Sequence, residues 1–285
     1  MTGAGADNGG QTSPAVRLSI VIVTYNSRAD IGDCLASVTA ARAPQVPHEI
    51  VVVDNASPDA TSTYLRERWT NVRVIDAGSN RGFAGANNIG IRQSSGELVL
   101  LLNPDTIVGT GAIDRLVATL DAEPNVAIVG PRIEDSTGIV ELSFGRMISP
   151  LAEFRQKLLV VGNDRRWPVV GSLVARMTSQ SRQVDWVSGA CLLARRADLE
   201  AVGLLDERFF MYTEDVDICA SVRARGRLVR FEPAARIVHR RGRSRVTASR
   251  AIETAYRHSQ MAFYEKHHPA WAPVLKMYLR LTGKI

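Results

Sequence analysis

Apolar runs and amphipathic segments alternate over about the first 125 residues of the chain. Four runs rich in β-branched and aliphatic residues have the composition of strands buried on both faces, and they lie at 18–25, 49–55, 72–77 and 97–103. Each run is followed by a segment with helical spacing of its apolar residues, at 27–42, 57–69, 84–94 and 111–123. The alternation predicts an α/β fold with a doubly wound, mostly parallel central sheet flanked by helices.

The pattern changes in the second half of the chain. Strand character returns at 126–133, 184–196, 227–233 and 235–241. Residues 147–182 have mixed polarity and weak periodicity, which predicts a long, mobile insertion. Because no linker interrupts the chain, we expect a flexible N-terminal tail at 1–16, one domain at 17–247 and a helical C-terminal extension at 248–285.

The composition is that of a globular protein with a substantial core, since 45% of the 285 residues are hydrophobic and 22% are charged. The opening stretch MTGAGADNGGQTSP lacks the basic start and apolar run of a signal peptide, and no apolar run reaches the length of a membrane-spanning helix. Cys34, Cys191 and Cys219 have no CxxC spacing, which favours reduced thiols. These features predict a cytoplasmic protein.

Positive charge is concentrated in one block of this chain, whose formal net charge is +6. Between Arg223 and Arg250, ten arginines accompany a single acid, Glu232. The block favours either a phosphate-bearing or anionic partner or a solvated basic face. Specific nucleic-acid binding is disfavoured, because no recognised motif or aromatic platform accompanies the arginines.

The C-terminal stretch PAWAPVLKMYLRLTGKI predicts an amphipathic helix. Its aromatic and leucine residues fall on one face and its cations on another, namely Trp271, Leu275, Tyr278 and Leu279 against Lys276, Arg280 and Lys284. Such a helix either contacts the inner face of the cell membrane peripherally or docks on the domain. The sequence leaves both alternatives open, as it does the formation of oligomers.

Polar residues follow three of the predicted strands. They are Thr24, Tyr25 and Asn26 after the first strand, Asp54 and Asn55 after the second, and Asn103 and Asp105 after the fourth. In a doubly wound sheet, ligands bind beyond the carboxyl ends of the strands, where the strand order reverses. Any one of these residues could instead cap the following helix. Three strand ends of the same polarity favour a shared cleft.

The segment NRGFAGANNIG at 80–90 places glycines and asparagines at a helix start. The glycines would let the backbone approach a ligand, which Asn87 or Asn88 could contact. A glycine-rich loop with an asparagine cap is the alternative. No GxGxxG motif follows the first strand, which disfavours a dinucleotide-dependent oxidoreductase.

Two residues have the chemistry of a metal site. Asp105 offers an oxygen ligand for Mg²⁺ or Mn²⁺, with substrate phosphates completing the shell. His239 would add an imidazole if the fold placed it near Asp105. A turn explains a lone aspartate after a strand equally well.

The segment FFMYTEDVDICASV at 209–222 places Glu214, Asp215 and Asp217 behind a bulky apolar stretch. Thr213 could cap a helix there, and acids in a first turn are favoured by the helix dipole. The alternative is that one of the carboxylates acts as a general base.

Taken together, seven segments resemble the family 2 glycosyltransferases, and most of all their bacterial rhamnosyltransferase-like branch. In chain order they are SIVIVTYN, EIVVVDNAS, NRGFAGANNIG, LLLNPDT, WVSGACLLARR, FFMYTEDVDIC and IVHRRGRS. The resemblance implies a GT-A fold with a nucleotide-binding half at 17–125 and an acceptor-binding, catalytic half at 126–247. It also implies inverting, metal-assisted transfer of a sugar from a nucleoside diphosphate.

The resemblance also implies roles for the matching positions. Nucleotide binding falls to Thr24, Tyr25, Asn26, Asp54, Asn80, Gly82, Phe83, Asn87 and Asn103. Asp105 and His239 match metal ligands, with Asn-Pro-Asp in place of the usual DxD, and Asp215 matches the catalytic base beside Glu214. The acceptor and donor-sugar pocket falls at Trp186, Ser188, Gly189 and Ala190.

The expected function is transfer of L-rhamnose from dTDP-L-rhamnose to a lipid-linked or polysaccharide acceptor in cell-wall or surface-glycan synthesis. The alternative is a non-catalytic nucleotide-sugar-binding partner subunit of a glycan assembly complex. The presence of Asp105, Asp215 and His239 disfavours this alternative, because a non-catalytic copy has no physical need for all three.

Overall fold

The computed structural model describes residues 15–240 and 249–283. Most of the predicted tail and part of the arginine block, at 241–248, lie outside the described residues. Side chains are described within these ranges except at 249–252.

The first half of the chain alternates strands and helices as its apolar pattern predicts. The strands are β1 (Leu18–Thr24), β2 (His48–Asp54), β3 (Arg73–Asp76), β4 (Leu98–Leu102) and β5 (Thr106–Val108). The helices are α1 (Ile31–Val38), α2 (Thr61–Arg68), α3 (Gly82–Arg92) and α4 (Ala112–Ala122). Helix α2 begins later than predicted, because Asp59 accepts the Thr61 N–H at 3.1 Å while the Ser57 hydroxyl is bound to Asp54.

The second half contains more elements than the sequence predicts. Its strands are β6 (Val126–Glu134), β7 (Phe144–Gly145), β8 (Arg182–Val184), β9 (Trp186–Val187), β10 (Cys191–Arg195) and β11 (Leu228–His239). Its helices are α5 (Pro150–Asp164), α6 (Pro168–Met177), α7 (Arg196–Ala201), α8 (Glu214–Ala224), α9 (Ser249–His267) and α10 (Ala272–Leu281).

The structure adds to one prediction for the second half and corrects another. Residues 147–182, for which the sequence predicts no regular element, contain helices α5 and α6, and their periodicity is weak because both helices leave large apolar side chains such as Phe154 exposed. The two short strands predicted at 227–233 and 235–241 are one strand, β11, which is irregular between Glu232 and Arg236.

The main sheet has nine strands, in the order β3-β2-β1-β4-β10-β6-β11-β5, with β8 beside β11. Strands β3, β2, β1 and β4 are parallel. Strand β10 is antiparallel to β4 and β6, and β11 is parallel to β6. The predicted α/β fold is confirmed, with a mixed sheet in the second half. Strand order reverses between β1 and β4, so a crevice opens at their carboxyl ends.

Apolar side chains fill both faces of the sheet. One face packs α1, α2 and α4 through residues that include Leu35 and Leu116. The other packs α3, α7 and α8 through residues that include Ile91 and Ile218. Burying each such side chain stabilises the fold by roughly 1.5–3 kcal/mol. The three cysteines are free and buried in this interior, as predicted.

Helices α9 and α10 dock on α8 and on the loop that precedes it. Phe263 and Tyr264 of α9 and Leu279 of α10 form one apolar cluster with Phe209 and Val216. The terminal helix is therefore docked on the domain, one of the two predicted alternatives. Of the four residues predicted on a single face of this helix, Leu275 and Leu279 pack inward, whereas Trp271 and Tyr278 are exposed.

An ion-pair cluster around the buried Asp217 reinforces this docking. Asp217 of α8 accepts a hydrogen bond from Lys266 at 2.9 Å and lies 2.6 Å from the ring of His267. Lys266 also binds Asp206 at 2.9 Å. Asp217 is thus a structural acid that holds α9 against α8. No helix in the ranges that the structure describes is long and apolar enough to cross a membrane.

Candidate active site

The ends of β1 and β2 lie side by side, because Thr24 pairs with Asp54 in parallel register. Thr24 is buried and its carbonyl accepts the N–H of Asn55 at 2.8 Å. Its hydroxyl has no hydrogen-bond partner among the described residues. Asn26 has a left-handed backbone, with φ 55°, and donates its N–H to Ser57 Oγ at 3.1 Å. The turn therefore holds Thr24 and Asn26, two residues predicted to bind the nucleotide, at the crevice.

Asp54 is a buried hydrogen-bond acceptor at this edge. The hydroxyl and N–H of Ser57 both donate to its carboxylate. Burial raises the pKa of Asp54, the bonds from Ser57 oppose the rise, and the nearby charges of Asp76 and Asp59 add to it. Tyr25, which follows Thr24, leaves its ring about half exposed. An exposed ring beside a buried acceptor is suited to binding the base and ribose of a nucleotide.

Asn55 links the end of β2 to the glycine-rich segment. Its side-chain amide donates to Asn80 Oδ1 at 2.9 Å and to the Gly82 carbonyl at 3.2 Å. Its Oδ1 accepts the N–H of Arg81 at 2.8 Å. The sequence places Asn55 at the end of a strand but does not indicate its role, whereas the structure shows that it fixes the start of α3.

Gly82 and Phe83 connect α3 to the loop before α8. Gly82 has φ +70°, and an added Cβ would lie 2.3 Å from the Phe210 carbonyl oxygen. The Phe83 N–H donates to that same oxygen at 2.7 Å. Asn87 is buried and donates to the Phe83 carbonyl at 2.9 Å, so this amide supports the helix start. Contact between Asn87 and a nucleotide stays a prediction.

Asp215 lies in the first turn of α8 with both carboxylate oxygens engaged. Gly189 N–H donates to its Oδ2 and Val216 N–H to its Oδ1, each at 2.8 Å. Tyr212 and Thr213 before it have left-handed backbones, with φ 70° and 72°, a conformation that costs a non-glycine residue roughly 1–2 kcal/mol. Thr213 occupies the N-cap position, but its side chain makes no capping hydrogen bond. The turn therefore positions the acids rather than capping the helix through Thr213.

The two neighbouring acids, Glu214 and Asp215, differ in how far their pKa values are raised by burial. It raises the pKa of Asp215, and the N–H groups of Gly189 and Val216 oppose that rise. Burial raises the pKa of Glu214 well above its usual value, and the charges of Asp215 and Asp217 add to the effect. Glu214 is 6% exposed, and its Oε2 has no hydrogen-bond partner among the described residues. Asp215 thus holds a negative charge more readily, as a general base must.

Asp105 and His239 meet beyond the carboxyl end of β4. His239 Nε2 lies 3.2 Å from Asp105 Oδ1, and Nδ1 lies 3.8 Å from Glu141 Oε2. Burial alone would lower the pKa of His239, but the two carboxylates outweigh it and raise the pKa to about 9. Glu141 cannot be recognised from the sequence, because it lies between apolar residues with no motif to mark it.

The Asp105 and His239 side chains fit a divalent ion that is shared with a diphosphate. Asp105 and Glu141 face opposite nitrogens of the His239 ring, and among the described residues no three ligating side chains converge on one point. One carboxylate and one imidazole suit Mg²⁺ or Mn²⁺, whose remaining ligands would be phosphate and water oxygens. Glu141 would then orient the imidazole from its other nitrogen.

A backbone hydrogen bond brings the turn that carries the candidate metal ligand Asp105 close to Glu214 and Asp215. Asn103 N–H donates to the Ala190 carbonyl at 2.9 Å, directly beyond the pairing of β4 with β10. Gly189, which directly precedes Ala190, donates its N–H to the carboxylate of Asp215. The turn that carries Asp105 and the turn that holds Asp215 are therefore neighbours.

The residues predicted to line the sugar and acceptor pocket belong to this second turn and to the strand β9 before it. Ser188 N–H donates to the Ser143 carbonyl at 2.8 Å, and Ser188 Oγ accepts the Ala190 N–H at 3.3 Å. Trp186 Nε1 donates to the carbonyl of Arg146 at 2.9 Å. A Cβ on Gly189 would lie 3.2 Å from the Cβ of Asp215, so the close approach favours glycine.

The described part of the arginine block is largely compensated by acids of other elements. The pairs are Arg223 with Asp185, Arg227 with Asp198, Arg230 with Glu123, and Arg240 with Asp33. Arg241, Arg243, Arg245 and Arg250 fall outside the described side chains. Four of the six described arginines of the block therefore form ion pairs within the fold, whereas Arg225 and Arg236 are exposed.

The strand reversal at β1 and β4, with its polar strand ends and its carboxylate held at a helix start, agrees with the GT-A fold that the motifs imply. A family profile described as "Glycosyl transferase family 2" matches residues 19–201. The chain belongs to glycosyl transferase family 2, and the family that its motifs resemble is confirmed.

Relatives of known activity extend the comparison. The N-acetylglucosaminyl-diphospho-decaprenol L-rhamnosyltransferase of Mycobacterium tuberculosis is 31% identical over 265 residues, which cover 89% of this chain and 86% of the relative. The low-salt glycan biosynthesis hexosyltransferase Agl10 of Haloferax volcanii is 34% identical over 72% of this chain and 61% of its own length.

Two solved structures share the fold. The mannosyltransferase PcManGT of Pyrobaculum calidifontis, in complex with GDP-Man and Mn²⁺, has a TM-score of 0.61 and 20% identity, over 91% of this chain and 68% of its own. GalNAc-T7 with UDP, GalNAc and Mn²⁺ has a TM-score of 0.58 and 18% identity, over 79% of this chain and 44% of its own. Both neighbours are GT-A enzymes that hold a nucleotide with Mn²⁺, in line with the predicted divalent metal.

Proposed function

We propose that this chain is an inverting, divalent-metal-dependent transferase that moves L-rhamnose from dTDP-L-rhamnose to a lipid-linked acceptor in cell-wall or surface-glycan synthesis. The observation that carries the proposal is the position of Asp215, held by two N–H groups next to the turn that bears Asp105. The mycobacterial relative, whose name specifies rhamnose and a diphosphate-linked decaprenol acceptor, supports the choice of both substrates.

In the proposed reaction, Asp215 takes the proton of an acceptor hydroxyl as that oxygen attacks the anomeric carbon of the donor sugar. The new C–O bond forms on the face opposite the diphosphate, and the bond from the anomeric carbon to the diphosphate oxygen breaks with both electrons leaving on dTDP. Inversion follows from attack on the face opposite the leaving group. Proton transfer to such a base contributes roughly 10²–10⁴-fold to the rate.

The other residues of the crevice would bind and orient the donor. Asp54 and Tyr25 would contact the base and ribose, while the backbone around Gly82 and Phe83 would lie against the nucleotide. Asp105 and His239 would hold the divalent ion, which when bound stabilises the charge that develops on the departing diphosphate. Ser188 to Ala190 would shape the wall against the sugar.

The proposal is tested by transfer assays with a panel of nucleoside diphosphate sugars and a short-chain, water-soluble prenyl-diphosphate glycoside as acceptor. We expect dTDP-L-rhamnose to be the preferred donor, and NMR of the product to show an inverted anomeric centre. Removing divalent cations with a chelator should abolish transfer, and Mn²⁺ or Mg²⁺ should restore it.

A substitution of Asp215 tests whether this residue is the general base. Asp215→Asn should lower kcat by roughly 10²–10⁴-fold and leave the affinity for dTDP unchanged, because the carboxylate acts on the acceptor. Glu67→Gln, which removes an exposed carboxylate on α2, serves as the control. Undiminished transfer by Asp215→Asn would show that another group is the base. Nucleotide binding without turnover on any donor would instead favour the non-catalytic partner subunit.

A further inference from the structure

The exposed large apolar side chains of the described residues are concentrated on three helices. Six belong to α5, α6 and the connection between them, and they are Leu151, Phe154, Leu158, Trp167, Val169 and Leu173. Five more belong to α10 and its N-cap, and they are Trp271, Val274, Met277, Tyr278 and Leu281. We call these eleven residues the apolar surface. Patches of this kind on a folded protein mark an interaction site.

The spacing of these residues gives each helix a second apolar face. Positions 151, 154 and 158 share one face of α5, and positions 274, 277, 278 and 281 share one face of α10. The opposite side of each helix already packs on the protein, through Leu159 in α5 and through Leu275 and Leu279 in α10. The exposed face is therefore additional to the one that docks the helix.

The parts of the apolar surface lie on elements that contact one another. His268, just before α10, is hydrogen bonded through Nε2 to the carbonyl of Ile148, just before α5, at 2.8 Å. Glu153 of α5 accepts hydrogen bonds from Gln260 at 2.7 Å and Tyr264 at 2.8 Å, both in α9. These contacts make α5, α9 and α10 one packed unit.

The charge on the same helices is positive. Seven exposed cations lie on them or on their connection, and they are Arg155, Lys157, Arg165, Arg166, Arg176, Lys276 and Arg280. The same segments carry one exposed acid, Asp164. The other acid, Glu153, points to α9. Apolar residues interspersed with cations complement a surface that is apolar beneath and negatively charged outside.

We propose that the apolar surface docks the protein on an anionic lipid bilayer, with α5, α6 and α10 lying in the headgroup region. Amphipathic helices with cationic flanks bind in this way, and Trp and Tyr, here Trp167, Trp271 and Tyr278, favour the interface. Each Lys or Arg near an anionic surface contributes about 1 kcal/mol. The excess of exposed cations over acids on these helices favours an anionic bilayer as the occupant.

The helices that carry the apolar surface contact segments beside the proposed sugar and acceptor pocket. Met147 and Ile148, which lead into α5, pack in the same cluster as Trp186. Ser259 of α9 donates to the Met211 carbonyl at 2.8 Å, beside the acid-bearing turn. Bilayer docking would therefore bring the pocket to the membrane, where a lipid-linked acceptor resides; only this consequence rests on the proposed function.

The test is flotation of the full chain with vesicles of phosphatidylglycerol and phosphatidylcholine, against vesicles of phosphatidylcholine alone. We expect binding to the anionic vesicles, weakened by added salt. The triple variant Leu151→Gln, Phe154→Gln, Leu158→Gln should lower the partition coefficient about tenfold or more, because it removes exposed apolar area and spares the core. Circular dichroism and the melting temperature verify that the variant is folded.

The charge contribution has a matched control. Arg155→Gln with Lys157→Gln should weaken binding to anionic vesicles, whereas Arg68→Gln with Arg115→Gln removes the same charge from exposed positions of α2 and α4 and should not. No binding by the intact chain, or equal binding by the apolar triple variant, overturns the proposal. So does a dimer in light scattering that the triple variant dissociates, because the surface would then join two copies.

Transfer to the soluble acceptor separates this proposal from the proposed function. The triple variant should retain its rate with that acceptor and lose rate only with acceptor embedded in vesicles. Vesicle binding that depends on the apolar surface, in a chain that transfers no sugar, would sustain docking and reject the transferase.

Discussion

Glu214 and Asp215 are adjacent carboxylic acids that the fold treats differently. Asp215 accepts two backbone N–H groups, whereas Glu214 is buried beside Asp215 and Asp217. Both acids follow from the sequence as candidates. Their difference follows only from the placement of Gly189 against the start of α8, because a hydrogen bond from a residue 26 positions away leaves no local signal.

Replacing Glu214 tests this difference through folding stability. Because burial raises the pKa of Glu214 well above its usual value of 4.5, stability is lost as pH rises above the unfolded-state pKa. Glu214→Gln cannot ionise, so its free energy of unfolding relative to wild type should increase between pH 5 and pH 8. Urea unfolding at both pH values measures the difference, with Glu67→Gln correcting for the loss of one charge. An unchanged difference would mean that Glu214 is not buried as described.

His239 gives a pH dependence in the metal-free protein. Its pKa rises from 6.5 to about 9, so its stabilising interactions are fully present below pH 6.5 and are lost as pH rises through about 9. The contribution is on the order of 3 kcal/mol by linkage. Urea unfolding in a chelator should show this loss in wild type and not in His239→Gln. NMR titration of the imidazole should give a lower pKa in Asp105→Asn, and an unshifted pKa there would contradict the pairing.

At the scale of elements, the start of α3 and the loop before α8 depend on one glycine. Gly82→Ala would place Cβ 2.3 Å from the Phe210 carbonyl oxygen, at a residue whose φ is +70°. We expect this substitution to lower the free energy of unfolding by roughly 2–4 kcal/mol and to raise the KM for the donor. Gly78→Ala is the matched control, because its φ is +75° and nothing lies within 4 Å of the added Cβ.

Gly78→Ala should lower the free energy of unfolding by about 1–2 kcal/mol, because only the backbone is strained, and it should leave the KM for the donor unchanged. Thermal unfolding and initial-rate kinetics measure both quantities. Equal behaviour of the two variants would show that the contact with Phe210 does not couple α3 to the catalytic loop.

Elements differ in how much of them the sequence predicts. Strands β1, β2 and β4 are buried on both faces over most of their length and are mainly apolar there, so their pattern is unambiguous. Helices α5 and α6 escape prediction because large apolar residues such as Phe154 and Val169 occupy exposed positions, which blurs the contrast between the two sides of the helix.

At the scale of the whole molecule, Asp217 and Lys266 join the C-terminal helices to the catalytic half. Removing either partner deletes a charge-assisted hydrogen bond between α8 and α9, so Asp217→Asn and Lys266→Met should each destabilise the fold. A double-mutant cycle in urea unfolding should give a coupling energy of roughly 1–3 kcal/mol.

The matched cycle uses Lys276→Met, on exposed α10, in place of Lys266→Met. Its coupling to Asp217→Asn should stay within about 0.5 kcal/mol, as for independent sites. Equal coupling in both cycles would show that Lys266 does not anchor α9 on α8. A smaller kcat with soluble acceptor in Lys266→Met would show that this anchor also steadies the turn before Asp215.

The sequence by itself determined the parallel first half of the sheet, the ordered motifs and the residue types of the site, because strand burial and strand-end chemistry are local properties. It also pointed to Asp105, His239 and Asp215 one by one. Only the tertiary structure decided that Asp105 meets His239, that Glu141 stands behind the imidazole and that Asn55 holds α3. These contacts join residues that are 25 or more positions apart, and chain packing rather than local pattern sets such distances.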